Sequence, residues 1–264
     1  MRIALGLEYL GTPFTGWQSQ ADGRGVQDAL ERALAAIADA RIGTVAAGRT
    51  DTGVHATLQI VHFDTEAVRP QTAWVRGVNS HLPAEIAVRW AQPAPAEFHA
   101  RFAATARHYT YLVATCATRP ALLAGRAGWY HRPLDVRAMR EAAAALAGTH
   151  DFSAFRAAEC QAASPVKTLS PVAIDAVGEC VRFDFSANAF LHHMIRNIVG
   201  ALVYVGAGKE PVTWIAELLA ARDRTRAAPT FAADGLYLTG ADYDAKWGLP
   251  PTRRPIALPF AGET

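Results

Sequence analysis

Cysteine is scarce in this 264-residue chain: three are present, Cys116, Cys160 and Cys180, far apart and without a C-x-x-C spacing. An odd, scattered set excludes a disulfide framework and argues against a zinc site, so free thiols in a reducing compartment are expected. Long apolar runs are missing too. The most apolar stretch, residues 198–207, is short and interrupted by Gly200, which excludes a bilayer-spanning helix. Residues 1–14 have no continuous apolar core of the secretory kind, and a cytoplasmic protein is the expectation. Phosphate-binding G-x-x-x-x-G-K-[ST] and G-x-G-x-x-G loops are absent, as are a serine nucleophile elbow and the H-x-E with P-C-x-x-C of zinc deaminases. Net charge is nearly absent at +2, which excludes a grossly basic nucleic-acid binder.

What is there is an ordinary globular balance, 51% hydrophobic and 19% charged. The length suits two small domains or one large one. Residues 1–103 hold nine basic and ten acidic side chains and the remainder seventeen and fourteen, so the small positive excess lies in the second half. Arginine outnumbers lysine twenty-three to three. That preference suits phosphate forks, and in so alanine-rich a chain it equally suits a GC-biased genome.

Alternation in Arg2–Tyr9 predicts a strand, and Val26, Leu30, Leu34 and Ile37 at helical spacing predict an amphipathic helix over 25–40. Further strands are expected at 44–47, 57–65, 86–90 and 105–115, the last with Arg107, Tyr109, Tyr111 and Val113 on one face. The second half repeats the theme, with helices at 134–146, 189–205 and 212–223 and strands at 172–177, 181–187 and 235–243. Strand pairs beside helices without regular β-α-β alternation predict an α+β fold with antiparallel sheet. The expected boundaries are an N-terminal half over 1–103, a second half over 104–246 and a proline-rich tail over 247–264, extended beyond the last strand.

The most informative segment is Ala47-Gly48-Arg49-Thr50-Asp51-Thr52-Gly53-Val54-His55-Ala56, in which two glycines bracket one carboxylate. Glycine adopts backbone angles closed to other residues, so Gly48 and Gly53 would allow a tight turn lifting Asp51 out of the sheet. No further acidic residue follows until Asp64. By its residues alone Asp51 could equally cap the loop or pair with Arg49.

This string resembles, nearly letter for letter, the catalytic loop of the TruA family of tRNA pseudouridine synthases. Other blocks are similar to that family in order and spacing: Gly16-Trp17-Gln18 near the start, Phe98-His99-Ala100-Arg101-Phe102, Arg107-His108-Tyr109-Thr110-Tyr111, His150-Asp151-Phe152-Ser153-Ala154-Phe155, the run from Asn188 through His193-Met194-Ile195-Arg196-Asn197 to Gly200, and Asp234-Gly235-Leu236-Tyr237-Leu238. The likeness extends over roughly residues 1–245. Leu10, Ser19 and Thr52 depart from the family pattern, in which Asp, a basic residue and Ala are usual, and residues 163–167 hold less arginine.

The resemblance implies a pseudouridine synthase fold, two α+β halves with largely antiparallel sheets flanking a basic active-site cleft. It implies isomerisation of uridine in the anticodon arm of tRNA, at positions 38, 39 and 40, by a homodimer. The apolar run at 201–205 would be available for such an interface. Asp51 would be the catalytic carboxylate. Tyr109 would bind the flipped uracil, Arg196 would hold Asp51 charged, and Arg49 would fill or hold the place of the flipped nucleotide. Read without the family, Tyr109 is a core tyrosine on a strand, Arg196 a helix-surface arginine and Arg49 a local partner of Asp51. No cofactor is implied, because the reaction adds and removes nothing, and no metal: His192 and His193, adjacent on an expected helix, would diverge by about 100° and ligate one ion poorly. A non-catalytic α+β RNA-binding module is the alternative reading.

Overall fold

The computed structural model describes residues 1–256, so the expected tail over 247–264 lies partly outside the described residues. The chain divides into two units, Met1–Arg107 with Tyr237–Ile256, and His108–Leu236. The first contains strand β1 (Arg2–Tyr9), helix α1 (Val26–Ala38), β2 (Thr44–Ala46), β3 (His55–Asp64), a short helix α2 (Val78–His81) and β4 (Ile86–Ala94). The chain passes to the second unit within β5 (Ala104–Thr115). There follow β6 (Gly128–Tyr130), α3 (Val136–Ala143), β7 (Gly148–Asp151), β8 (Val166–Leu169), β9 (Ala173–Val177), β10 (Cys180–Ala187), α4 (Met194–Gly206) and α5 (Trp214–Ala221). It returns within β11 (Leu236–Tyr243). The architecture is α+β.

In the first unit β1 is central, antiparallel to β3 from Arg2↔Asp64 to Tyr9↔Ala56 and to β4 from Arg2↔Ala94 to Tyr9↔Ile86. Its alternation buries Ile3, Leu5, Leu7 and Tyr9, and the register is marked by a 2.7 Å ion pair between Arg2 and Asp64. Helix α1 buries Val26, Leu30 and Leu34. Its first turn is closed by the Asp28 carboxylate, which accepts from the Gly25 N–H at 2.9 Å. Residues 73–77 form a π-helical turn leading into α2, with Trp74 and Val78 buried; neither helix was expected from periodicity, because the segment is too short to display one.

Strand β11 pairs parallel with β3, Tyr237 opposite His55. This pairing places 237–256 in the first unit, so the division is not a single cut after residue 103. The described part of the tail is not simply extended. It folds back on β11 through a bridge between Gly240 and Arg253, the Arg254 N–H on the Thr239 carbonyl at 2.8 Å, and ion pairs of Arg253 with Asp242 and Arg254 with Glu8.

In the second unit β5 neighbours β10, β10 neighbours β8, and β8 neighbours β7, with β6 parallel on β5 and β9 forming a hairpin with β10. Alternate residues of β10, namely Val181, Phe183, Phe185 and Ala187, are buried. Helices α3 and α5 pack on α4. Eleven of the thirteen residues of α4 are buried, and Ala201, Leu202, Val203 and Val205 belong to the core of their own chain. The run at 201–205 is therefore not a surface open to a second copy, a correction to the expectation above. Among the described residues no helix is long and apolar enough to cross a membrane.

Candidate active site

Strands β2 and β3 are antiparallel, and the loop that joins them carries Arg49 and Asp51. Its stem is closed by the Ala47 N–H on the Ile60 carbonyl at 2.8 Å and by the buried Gln59 amide on the Gly48 carbonyl at 2.6 Å. Its tip is a four-residue turn in which the Val54 N–H donates to the Asp51 carbonyl at 3.1 Å. Gly53 is the third residue with φ +81°, the left-handed value that a type II turn requires there. Gly48 uses no such angle. Asp51 is thus half-buried at the head of a turn, and Arg49 is exposed two residues earlier.

The loop is braced from below. Thr50 is buried, its carbonyl accepting from the Trp17 N–H at 2.9 Å and its hydroxyl 2.8 Å from that of Tyr9. The turn at 11–17 lies flat against it, since a Cβ on Gly11 would stand 1.9 Å from the Val54 carbonyl oxygen and one on Gly16 2.8 Å from that of Thr50. His55, 1% exposed, accepts from the Gly11 N–H through Nδ1 at 2.9 Å and packs on Tyr237 at 4.6 Å between ring centroids. Arg107 donates to the Ala47 carbonyl at 3.2 Å and also to that of Arg101. Three separated blocks of the sequence therefore converge on one loop: Gly16-Trp17-Gln18, residues 98–107, and Tyr237.

In the second unit Tyr109, on β5, is 8% exposed and meets Phe190 edge-on at 5.2 Å. Two residues on, Tyr111 is buried, and desolvation drives its hydroxyl well above the ordinary tyrosine range. Arg196 lies in the first turn of α4, half-buried between the buried pairs Met194–Ile195 and Ile198–Val199. Its Nε donates to the Phe231 carbonyl at 2.9 Å, while the Phe231 N–H returns to the Arg196 carbonyl at 3.3 Å. These bonds tie the arginine to the 228–232 segment. Close approach is possible because residue 200 has no side chain: a Cβ there would stand 2.5 Å from the Pro229 carbonyl oxygen.

The helix begins at Met194, five residues later than periodicity predicts, because His193 adopts a left-handed φ of 59°. His192 and His193 consequently do not diverge as helical neighbours; their rings lie 3.9 Å apart. The residue missed by sequence reasoning is Asn197, fully buried beside Arg196. Its amide donates to the Phe155 carbonyl at 2.8 Å and accepts from the Thr230 hydroxyl at 2.7 Å and Arg224 at 3.1 Å. A lone asparagine among Met194, Ile195, Ile198 and Val199 was the available signal, since buried amides persist only where all their bonds are met.

This α+β frame presents a single carboxylate, Asp51, at the head of a braced turn. A family profile described as tRNA pseudouridine synthase matches residues 7–103 and 142–244. The chain is 62% identical over 261 residues to tRNA pseudouridine synthase A of Thiobacillus denitrificans, covering 99% of this chain and 100% of that protein. It is 59% identical over 261 residues to the protein of that name in Methylobacillus flagellatus, with the same coverage, and 60% over 259 residues to that of Aromatoleum aromaticum, covering 98% of each. The chain belongs to the tRNA pseudouridine synthase family, a family of isomerases.

Proposed function

We propose that this protein converts uridine to pseudouridine in the anticodon stem-loop of tRNA, at positions 38, 39 and 40, with Asp51 as its one catalytic carboxylate. The observation that carries the reading is the loop itself: a lone carboxylate, half-buried, on a turn whose every flank is tied to buried structure. Preorganisation of this kind places a reacting group without a reorganisation cost at the moment of reaction.

The chemistry breaks the N1–C1′ bond of the uridine, turns the uracil, and joins C1′ to C5. The proton lost from C5 balances the one gained at N1, so the base leaves and returns with no net change in atoms. One carboxylate suffices for such a reaction, because the leaving group stays bound and becomes the entering group. A glycosidase, which discards its leaving group to water, uses two.

In this reading the N-terminal half supplies Asp51 and Arg49, the latter holding or replacing the flipped nucleotide. The second half supplies Tyr109, on which the uracil rests, and Arg196, which contributes positive charge. An open cavity of about 550 Å³ in the first unit, bordered by Arg24, Arg32 and His81, suits phosphate contacts of a folded RNA. The enzyme works as a cytoplasmic homodimer without metal or cofactor; the support for the dimer is family resemblance.

The test is to incubate unmodified tRNA transcripts with the purified protein in EDTA and to map pseudouridine chemically. Conversion at 38, 39 and 40 is the expected result. Tight tRNA binding with no conversion would instead favour a non-catalytic RNA-binding module.

A further inference from the structure

The segment 98–102 holds a side chain that the proposed chemistry does not use. Phe98 is fully buried, whereas Phe102, four residues later, is 76% exposed. Single exposed apolar side chains are ordinary, but this one is held rather than loose. His99 Nδ1 accepts from the N–H groups of both Arg101 and Phe102 at 3.2 Å, and its imidazole stacks on the Phe102 ring at 4.3 Å with 25° between planes. Behind His99 stands the buried His62, whose Nδ1 accepts from the Ala100 N–H at 3.1 Å. The Arg101 guanidinium lies 5.7 Å from the Phe102 centroid. The ring is thus backed by an imidazole, and a cation lies over it.

Its location connects it to the loop of Asp51. Phe98, Ala100 and Ala47 share one buried cluster, and Arg107 donates both to the Arg101 carbonyl and to that of Ala47, where the loop begins. No acidic residue occurs between Phe98 and His108, while Arg101 and Arg107 do, so the local charge suits a polyanion. An exposed ring on a rigid support, flanked by arginine, matches the way proteins receive unpaired RNA bases, by stacking on the ring face with guanidinium contact to base or phosphate.

From this arrangement we infer that Phe102 is a stacking surface for an unpaired base of the RNA substrate, steadied by His99, with Arg101 as the adjoining backbone contact. The inference rests on the tRNA activity proposed above. Its occupant is RNA rather than a second copy of the chain, because the flanking groups are cationic rather than apolar.

The experiment measures the Kd for an unmodified tRNA transcript, the single-turnover rate at saturating RNA, and the sedimentation velocity of wild type, Phe102→Ala, Phe102→Trp and Arg101→Ala. Phe102→Ala is expected to weaken binding roughly ten- to hundredfold, the range that base–aromatic stacking supplies. Its salt dependence, saturated rate and sedimentation should be unchanged, since the ring is exposed and neutral. Phe102→Trp should bind like wild type, and Arg101→Ala should lower the slope of log Kd against log salt by about one. A Phe102→Ala protein that binds within twofold of wild type overturns the inference. So does one that sediments as a smaller species, which would make the ring a contact between copies. Wild-type conversion of the same transcript reports separately on the activity: binding without conversion counts against the enzyme and leaves the Kd comparison to judge Phe102.

Discussion

At the scale of single residues the sharpest expectation concerns Asp51. Asp51→Asn keeps size and part of the hydrogen bonding but removes the charge and the reactive oxygen. The turn is closed by backbone groups, the Val54 N–H and the Asp51 carbonyl, so the variant should fold and bind tRNA. Pseudouridine formation should fall by more than about a hundredfold, the least that a positioned acid–base group usually supplies. Residual conversion at a few per cent, with deamidation excluded by mass spectrometry, would remove Asp51 from its proposed role. His62 makes a second expectation. Burial, with Arg2 and His99 nearby, pushes its imidazole down from an ordinary 6.5 to about 4, and its Nδ1 must stay unprotonated to accept from Ala100. The folded state therefore stays neutral at pH values where the unfolded chain takes up a proton. Stability from this group is complete above about pH 6.5, falls as the pH drops towards 4, and levels off below that. The loss is on the order of 3 kcal/mol at most. Urea unfolding at pH 7.5 and pH 5 should show it, and His62→Gln should shrink the difference; an undiminished difference would locate the titration elsewhere.

At the scale of elements, α4 carries Arg196 and also fastens the segment that orients it. Asn197 ties Phe155, Arg224 and Thr230 to the helix, and the Phe231 carbonyl then receives Arg196. Arg224 also donates to the Ala228 carbonyl at 2.9 Å, and its burial lowers its proton affinity. Removing the amide in Asn197→Ala leaves buried donors and acceptors unmet, which costs about 1–3 kcal/mol for each orphaned group. The expected outcome is a clear fall in Tm together with a loss of turnover beyond what the unfolded fraction explains. Asn197→Asp restores acceptors but not the donor to Phe155, so it should recover only part of both. If turnover per folded molecule is unchanged in Asn197→Ala, the segment does not orient Arg196.

For the whole molecule, charge and assembly are the testable properties. With a net charge of +2, affinity for tRNA is expected to come from local basic groups, with Arg24 and Arg32 as the proposed contacts, rather than from a global field. Binding should still weaken steeply with salt, with a slope that counts the phosphates contacted, and Arg24→Ala with Arg32→Ala should reduce that slope by about two. A slope unaltered by the pair would place the phosphate path elsewhere. A homodimer would not be built on Ala201, Leu202, Val203 and Val205, which are buried within one chain. Sedimentation should nonetheless show a dimer at working concentration, and a stable, active monomer would end that proposal.

Some of this was open to reading from the sequence. The alternation of β1, the periodicity of α1 and the glycine-bracketed turn at 51–54 are decided within a few residues, where side-chain pattern and backbone freedom act directly. The recurring family blocks identified the family and singled out Asp51, Arg49, Tyr109 and Arg196 as candidates. The tertiary structure alone decided the start of α4 after a left-handed His193, the π-helical turn at 73–77, and the return of residues 252–254 onto β11. It alone brought Tyr237 to His55, Arg107 to Ala47, and Arg224 to Asn197. The reason is common to all three pairs. Whether a buried histidine, amide or guanidinium is satisfied depends on partners 27 to 182 residues away, and no local window of the chain contains both halves of such a bond.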